Sequence, residues 1–317
     1  MTPPGSAAKL RATTREKQEH EWGSYLRYLG TAGQLLDTEA VTDRLTPERL
    51  GGYIEAVLRF SRASTVRCRV IQLSYMAKDL MPDRSWSWVR KHPALPTEAE
   101  ASAVRKQKAW CDPSEFVAKS LTQCDTAMQL PDPLLAAVRY RDGVLIAFAF
   151  CCTIRRKNLS ELKIGESLII APDYVRVVFD ETVVKNHRIV DMLLPDFLCP
   201  YVREYVQKHR PILLQGSADT GELWINLRGK PLSYTALYGV FTTRSQSLVQ
   251  QRLHPHSTRY SLATCTLDND PRDIGLAADS LGHRGTGTVA RYYNQAGPAR
   301  ANAAWQKLFK EKTGGGK

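Results

Sequence analysis

The chain has 317 residues, 43% of them hydrophobic and 24% charged, which is typical of a soluble globular protein with one large domain or two smaller ones. Its 44 Lys and Arg residues exceed its 32 Asp and Glu residues, so the net charge is +12 and the pI is about 9.4. This excess indicates a polyanionic partner, because basic side chains that neutralise phosphates release counterions. The seven cysteines are odd in number and include no C-x-x-C pair, which argues against a disulfide framework and a zinc site.

Neither a secretory signal nor a membrane span is predicted. The residues after Met1 have no apolar stretch behind a basic one. The longest nearly apolar run, Gly143–Ile154, is too short to cross a bilayer and is typical of a buried helix. With cysteines that form no disulfide pattern, these features predict a cytoplasmic protein.

The first third of the chain has a helical pattern. We expect no ordered structure over residues 1–13, a helix from Arg15 to Leu36, a second through Leu58 and a third beginning at Ser64. The second helix is opened by the capping signature Thr46-Pro47-Glu48. Apolar residues at helical spacing mark the first and third helices: Trp22, Tyr25, Leu26, Leu29, Val66, Val70, Leu73 and Met76. This helical unit is expected to end near Trp86–Val89, with a linker over residues 92–109.

The rest of the chain is predicted to contain both helices and strands. A helix is predicted from about Asp132 into the apolar segment Val144–Cys152. Two strands, Tyr174–Phe179 and Ile189–Leu194, are predicted with a polar turn around Lys185–Arg188 between them, and helices return from about Pro195.

Two short segments in this region carry candidate phosphate-binding cations. Arg155 follows the apolar helix, where a rigidly held guanidinium can clamp a phosphate; alternatively it compensates the helix dipole. Lys185 lies in the turn between the strands, a place where lysines are usually only solvated.

Two further segments follow. His256 and Arg259, three residues apart, lie on one face of a helix and can reach the same ligand. Leu281-Gly282-His283 precedes Tyr292 and Tyr293, which are expected on a helix begun by a turn and a Thr cap. Each segment alone has an ordinary structural explanation, and it is their order in one basic chain that indicates a shared site.

This order resembles the tyrosine recombinase, or phage integrase, family over roughly Pro131 to Gly297. The resemblance rests on three motifs: Arg155 with Asn158-Leu159 for R-x-x-[E/N]-L, His256-Ser257-Thr258-Arg259-Tyr260 for H-x-L-R-H, and Leu281-Gly282-His283 for L-G-H. The family's strand and turn before the H-x-x-R helix are matched by Leu223-Trp224-Ile225 and Gly229-Lys230-Pro231-Leu232-Ser233. Asn158 stands where Glu is commoner, and Tyr260 where His is commoner. Neither position is expected to contact the phosphate.

The resemblance implies a mainly α fold with a small β-sheet. It assigns residues 14–110 to a helical core-binding domain with its linker, and residues 111–300 to an α+β catalytic domain. Residues 301–317 become a tail whose apolar stripe packs on its own domain or docks on a neighbouring protomer: Ala301, Ala304, Trp305, Leu308 and Phe309.

The implied chemistry needs no metal and no cofactor. Arg155 and Arg259 neutralise the phosphate, and Lys185 is the general acid for the departing 5′ oxygen. His256 assists as a base, and His283 donates a hydrogen bond to the phosphate. The nucleophile is one of two neighbouring tyrosines; Tyr292, nine residues after His283, is favoured over Tyr293.

The implied partners are double-stranded DNA with specific recombination sites, further copies of the chain in a homotetramer on two sites, and accessory DNA-bending proteins. No membrane partner is expected, and the expected location is the cytoplasm, in association with the nucleoid. Two other functions remain as alternatives. A type IB topoisomerase shares this catalytic layout, and a non-catalytic DNA-binding regulator shares only the charge.

Overall fold

A computed structural model describes residues 10–103, 109–180, 189–282, 285–287 and 289–290. The chain divides into two compact units, Met1–Lys106 and Gln107–Lys317, and each has a hydrophobic core of its own. The predicted class is confirmed, since the described chain is mainly helical with one three-stranded sheet.

The described part of the first unit consists of helices and their connecting turns, without a strand. Its helices are α1 (Ala12–Thr31), α2 (Pro47–Leu58), α3 (Ala63–Leu80) and α4 (Glu98–Ala103), with 3-10 turns at Val41–Asp43 and Ser87–Lys91. The apolar faces of α1, α2 and α3 meet in one core whose largest fully buried members are Tyr25, Leu29, Leu50, Ile54 and Leu73. Burial of these side chains supplies the main stabilisation of the unit, at about 1.5 to 3 kcal/mol for each large side chain.

The predicted start of α2 is confirmed in its capping contacts. The Thr46 side chain accepts a hydrogen bond from the backbone N–H of Arg49, at 3.3 Å, and Pro47 occupies the first helical turn. Both features satisfy or remove N–H groups that have no partner within the helix.

Two predictions in this unit need correction. Helix α1 runs from Ala12 to Thr31 rather than from Arg15 to Leu36, because Gly33 adopts a left-handed φ of 67° and turns the chain away. The predicted linker over residues 92–109 contains ordered structure, since Leu95 is buried in the core and α4 begins at Glu98.

The second unit holds eight described helices and the sheet. In chain order they are α5 (Pro113–Ala127), α6 (Pro133–Cys152), α7 (Arg156–Ser160), β1 (Leu168–Ile170), β2 (Val175–Phe179), β3 (Val190–Leu193), α8 (Cys199–Glu204), α9 (Arg210–Leu214), α10 (Tyr234–Val249), α11 (Ser257–Asn269) and α12 (Ile274–Ser280). A π-helical turn, Tyr205–His209, joins α8 to α9. The strands are antiparallel in the order β1-β2-β3, with Arg176 opposite both Ile169 and Leu193.

Helix α6 is the centre of the second unit. As predicted, it begins after Asp132, whose carboxylate accepts from the backbone N–H groups of Leu134 and Leu135. It is buried around most of its circumference, which is typical of a helix packed on all sides. Helix α5 approaches so closely at Gly143 that a Cβ there would lie 2.6 Å from the Ser120 carbonyl oxygen, so no larger residue fits without a shift.

A buried charge network ties α6 to its neighbours. The Asp142 carboxylate accepts from the Arg141 guanidinium, at 2.6 and 3.0 Å, and from Arg244 Nε of α10, at 2.7 Å. Arg141 Nη1 also donates to the Ile225 carbonyl oxygen at 2.7 Å. Because Arg141 and Asp142 are both buried, each charge depends on the other for the interactions it loses with water.

Replacing Asp142 by Ala should therefore destabilise the second unit strongly. It leaves the Arg141 guanidinium buried without its carboxylate, which costs about 3 to 5 kcal/mol. The matched control is Glu115→Ala, which removes one partner of the exposed pair with Lys119 and should cost less than about 1 kcal/mol. Urea unfolding measures the loss of unfolding free energy in both variants. Equal losses would show that the buried network does not stabilise the unit more than an exposed ion pair does.

Candidate functional site

The end of α6 borders a cavity of about 250 Å³. Four described segments line it: Cys152–Arg155 with Asn158, Ile189–Met192, Arg259, and Asp279–Gly282. Two of the predicted site residues, Arg155 and Arg259, thus lie at one cavity although they are distant in the sequence. The structure brings these two guanidinium-bearing residues together.

Thr153 closes α6 in an unusual backbone conformation. Its φ of 46° and ψ of 24° are left-handed, which costs a β-branched residue more than a glycine. The residue is buried, and its carbonyl oxygen is turned towards the guanidinium of Arg259. Backbone strain held in place by surrounding contacts is a feature of functional sites.

Arg259 joins the ends of two helices. Its Nη1 donates to the Thr153 carbonyl oxygen at 2.6 Å, and its Nη2 donates to the Leu281 carbonyl oxygen at 2.5 Å. The last carbonyl groups of a helix have no donor within the helix and carry partial negative charge. A guanidinium supplies both the missing hydrogen-bond donors and a compensating positive charge. These two bonds fix the buried guanidinium beside the cavity.

Arg155 occupies the N-cap position of α7 and is partly exposed at the cavity. The helix behind it is held by Trp224, whose Nε1 donates to the Leu159 carbonyl oxygen at 2.9 Å. Asn158 is buried one turn after Arg155, and its Nδ2 has no hydrogen-bond partner among the described residues. The site thus contains a neutral amide at the position where the family more often has a carboxylate.

The end of α12 depends on a glycine. Gly282 has a φ of 61° and its N–H donates to the Asp279 carbonyl oxygen at 2.8 Å, an arrangement that ends a helix and redirects the chain. The preceding Leu281 is buried. The L-G-H motif therefore combines an apolar anchor, a left-handed turn and the residue that follows, His283.

His256 lies at the start of α11, with helical backbone angles, and is exposed. Its ring packs edge-on against Tyr260, with ring centroids 5.1 Å apart. It is not among the residues that line the cavity. Tyr260 is a buried packing residue between α11 and α12, which accounts for an aromatic ring where the family more often has His.

The other predicted site residues lie outside the described parts of the chain. They are Lys185, His283, Tyr292 and Tyr293. The tail from Ala301 also lies outside the described parts. Ile189 and Gly282, which are the nearest described residues in sequence to Lys185 and His283, both line the cavity.

Sequence reasoning assigned no role in the site to several lining residues. Thr153 and Leu281 act through their carbonyl oxygens, which no side-chain pattern reveals. Asp279 and Asp191 also border the cavity, and Asp191 forms a bidentate pair with Arg176 across β2 and β3. That pair keeps the pKa of Asp191 below its usual range.

All seven cysteines are free, and burial raises the pKa of the Cys152 thiol beside the cavity. The described residues contain no group of three or more His, Cys, Asp or Glu side chains suited to a metal ion. Within the same residues, no helix combines the length and the apolar character needed to cross a membrane.

The fold and the cavity define a mainly helical domain with paired arginines where helix ends meet. Residues 121–298, more than half of the chain, match the model of the phage integrase family. The chain therefore belongs to this family, as its motifs predicted.

Known proteins of this family resemble the chain in sequence and in fold. It is 28% identical over 165 residues to tyrosine recombinase XerD of Staphylococcus saprophyticus, covering 51% of this chain and 53% of that protein. It is 27% identical over 172 residues to tyrosine recombinase XerC of Halalkalibacterium halodurans, covering 53% and 51%. The chain thus spans about half the length of the curated relatives it matches.

Among solved structures, the XerH site-specific recombinase bound to palindromic difH substrate has the same fold, with a TM-score of 0.65. The two are 17% identical, and the match covers 94% of this chain and 79% of that chain. The Tn1549 transposon integrase in complex with transposon right end DNA matches with a TM-score of 0.57 and 14% identity, covering 95% of each chain.

Replacing Gly282 by Ala tests the turn that ends α12. No atom of the described residues lies within 4 Å of the added Cβ, so the expected cost is that of the left-handed backbone, about 1 to 2 kcal/mol. The control is Gly239→Ala in α10, which also meets open space but should stabilise by about 1 kcal/mol. Thermal unfolding compares the two, and a stabilised Gly282→Ala variant would disprove the turn.

Proposed function

We propose that this chain is a site-specific tyrosine recombinase that cleaves and rejoins double-stranded DNA through a 3′-phosphotyrosyl intermediate. The observation that carries the proposal is the pair Arg155 and Arg259 at one cavity. Two planar and permanently charged side chains suit the non-bridging oxygens of a phosphodiester as it becomes pentavalent. The proposal covers integration, excision and resolution, which share this chemistry.

DNA as the substrate is supported by charge and by the relatives. A net charge of +12 favours a polyanion. The matched relatives are named tyrosine recombinases, and the XerH and Tn1549 structures were determined with DNA. We further propose that the chain acts as a homotetramer on two DNA sites, with accessory DNA-bending proteins as additional partners.

In the proposed reaction, the phenolic oxygen of Tyr292, or alternatively Tyr293, attacks the phosphorus while the P–O5′ bond breaks. Lys185 gives a proton to the departing 5′ oxygen, since an ammonium can lose a proton where a guanidinium cannot. His256 accepts the phenolic proton, and His283 donates a hydrogen bond to the phosphate. The phosphotyrosyl bond conserves the bond energy, so a second 5′-hydroxyl reverses the step without ATP and without a metal or cofactor.

The geometry of Arg259 supports a preorganised site. Its contacts with Thr153 and Leu281 are made before any substrate arrives, so the guanidinium needs little reorganisation during the reaction. Arg155 is positioned by the first residues of α7 and is more exposed. The two arginines therefore differ in what their removal does to the fold.

The remaining regions are assigned by the family layout. Residues 14–110 are proposed as a core-binding domain that clamps DNA together with the catalytic domain, residues 111–300. The tail, residues 301–317, is proposed to dock on a neighbouring protomer through its apolar stripe, with packing on its own domain as the alternative.

The two tyrosines can be distinguished with nicked suicide DNA, which traps the covalent adduct. In buffer containing EDTA, Tyr292→Phe should form no adduct and should bind DNA with nearly unchanged affinity, because only the attacking hydroxyl is lost. Tyr293→Phe should only be slower. The reverse result moves the nucleophile by one residue, and wild-type adduct in both variants would refute the proposed chemistry.

A covalent adduct separates an enzyme from a DNA-binding regulator. Recombination between two sites then separates a recombinase from a topoisomerase, which would relax supercoiled DNA without joining different sites. Loss of wild-type cleavage in EDTA, restored by Mg²⁺, would contradict the metal-independent mechanism.

Arg155→Ala and Arg259→Ala should both slow adduct formation by about a hundredfold or more, as expected for the loss of a charge donor in the transition state. Only Arg259→Ala should also lower the unfolding temperature, because it leaves the Thr153 and Leu281 carbonyl groups without their donor. Calorimetry alongside single-turnover cleavage measures both effects. Equal unfolding temperatures for the two variants would show that Arg259 does not join the helix ends.

A further inference from the structure

A cluster of four side chains is assembled around Arg156, the residue that follows Arg155, and is not used in the proposed chemistry. Arg156 of α7 places its Cζ 3.5 Å from the ring centroid of Tyr234 and 5.3 Å from that of Tyr238, both within the range of cation–π attraction. The two tyrosines are one helical turn apart on α10, and the Tyr238 ring lies nearly parallel to His254, at 6.4 Å and 12°. We call Arg156, Tyr234, Tyr238 and His254 the Arg156–tyrosine cluster.

The cluster fixes the end of α7 that carries Arg155. A helix of five residues does not hold its own shape, so α7 depends on contacts made by its two ends. Trp224 holds the C-terminal end through the Leu159 carbonyl group, and Arg156 holds the N-terminal end through the tyrosines. Because Arg155 is the N-cap residue, a shift of that first turn moves Arg155 with it.

The same helix α10 fixes the start of α11. Ser245 Oγ accepts from the backbone N–H of Leu253 at 2.8 Å and donates to its carbonyl oxygen at 3.3 Å. The next residue, His254, stacks on Tyr238, and its carbonyl oxygen accepts from the N–H of Ser257 at 2.7 Å. The residues before and after His256 are therefore tied to α10, and Arg259 follows within the first turn of α11.

We infer that Tyr234 and Tyr238 are positioning residues for DNA cleavage. Through Arg156 they locate Arg155, and through His254 Tyr238 locates the segment that carries His256 and Arg259. A displacement of about 1 Å at a reacting centre can cost a hundredfold in rate, so a contact that joins the two halves of the site affects the reaction without touching the phosphate. This inference rests on the proposed function.

The exposure of the two tyrosines allows a clean test. Tyr234 is 47% exposed and Tyr238 is 38% exposed, so neither ring is a core residue and their replacement leaves the hydrophobic core intact. Tyr174, which is 40% exposed and lies between β1 and β2, provides a matched control in the same unit.

The experiment measures DNA affinity and single-turnover adduct formation at saturating suicide DNA for the full chain. Tyr234→Leu and Tyr238→Leu should slow adduct formation by about tenfold, while affinity changes by less than about twofold. Tyr234→Phe and Tyr238→Phe keep the ring and should restore the rate. Tyr174→Leu should match the wild type. Because Tyr234 acts only through Arg156, Arg156→Met combined with Tyr234→Leu should be no slower than the slower single variant.

Unchanged rates in both Leu variants, with an active wild type, would overturn the inference. Weaker DNA binding at an unchanged rate would also overturn it, since the tyrosines would then be DNA contacts. If the wild type forms no adduct, the proposed function fails, and amide hydrogen exchange of Leu159 and Glu161 tests the positioning separately. Faster exchange in the Leu variants would support the proposal that the tyrosines stabilise α7, and unchanged exchange would refute it.

Discussion

The burial of α6 is the constraint on which the second unit depends. A helix surrounded by other elements must satisfy every polar group along it from within the protein, because water does not reach them. Asp142 therefore requires two arginines, and Gly143 is required where α5 passes. At the other end, the last carbonyl group of α6 finds its donor in Arg259, more than a hundred residues later in the chain.

The candidate site follows from how that helix ends. Thr153 turns out of the helix in a left-handed conformation and directs the chain into Arg155 and the short helix α7. The ends of α6 and α12 meet at Arg259, whose guanidinium donates to one backbone carbonyl group from each. A guanidinium fixed by two backbone carbonyl groups is already rigid before a phosphate arrives, which suits it to bind one.

Local signals account for the parts of the fold that the sequence predicted well. Thr46 and Asp132 cap their helices as expected, and the two β-strands with alternating burial lie within one or two residues of their predicted bounds. The three-residue strand β1 is too short to show alternation. Helix α5 was missed although Asp112, followed by Pro113, is a capping signal of the same kind as Asp132.

By itself, the sequence determined the identity and order of the chemical groups. Arg155, Arg259 and the Leu281-Gly282 turn can be recognised from residue type and spacing alone. Their order was enough to place the chain in its family. Only the tertiary structure decided that Arg259 lies under the carbonyl groups of two helix ends and that Arg156 packs on tyrosines of α10. These contacts join segments far apart in the chain, and they depend on how the helices pack around α6, which no local pattern of residues encodes.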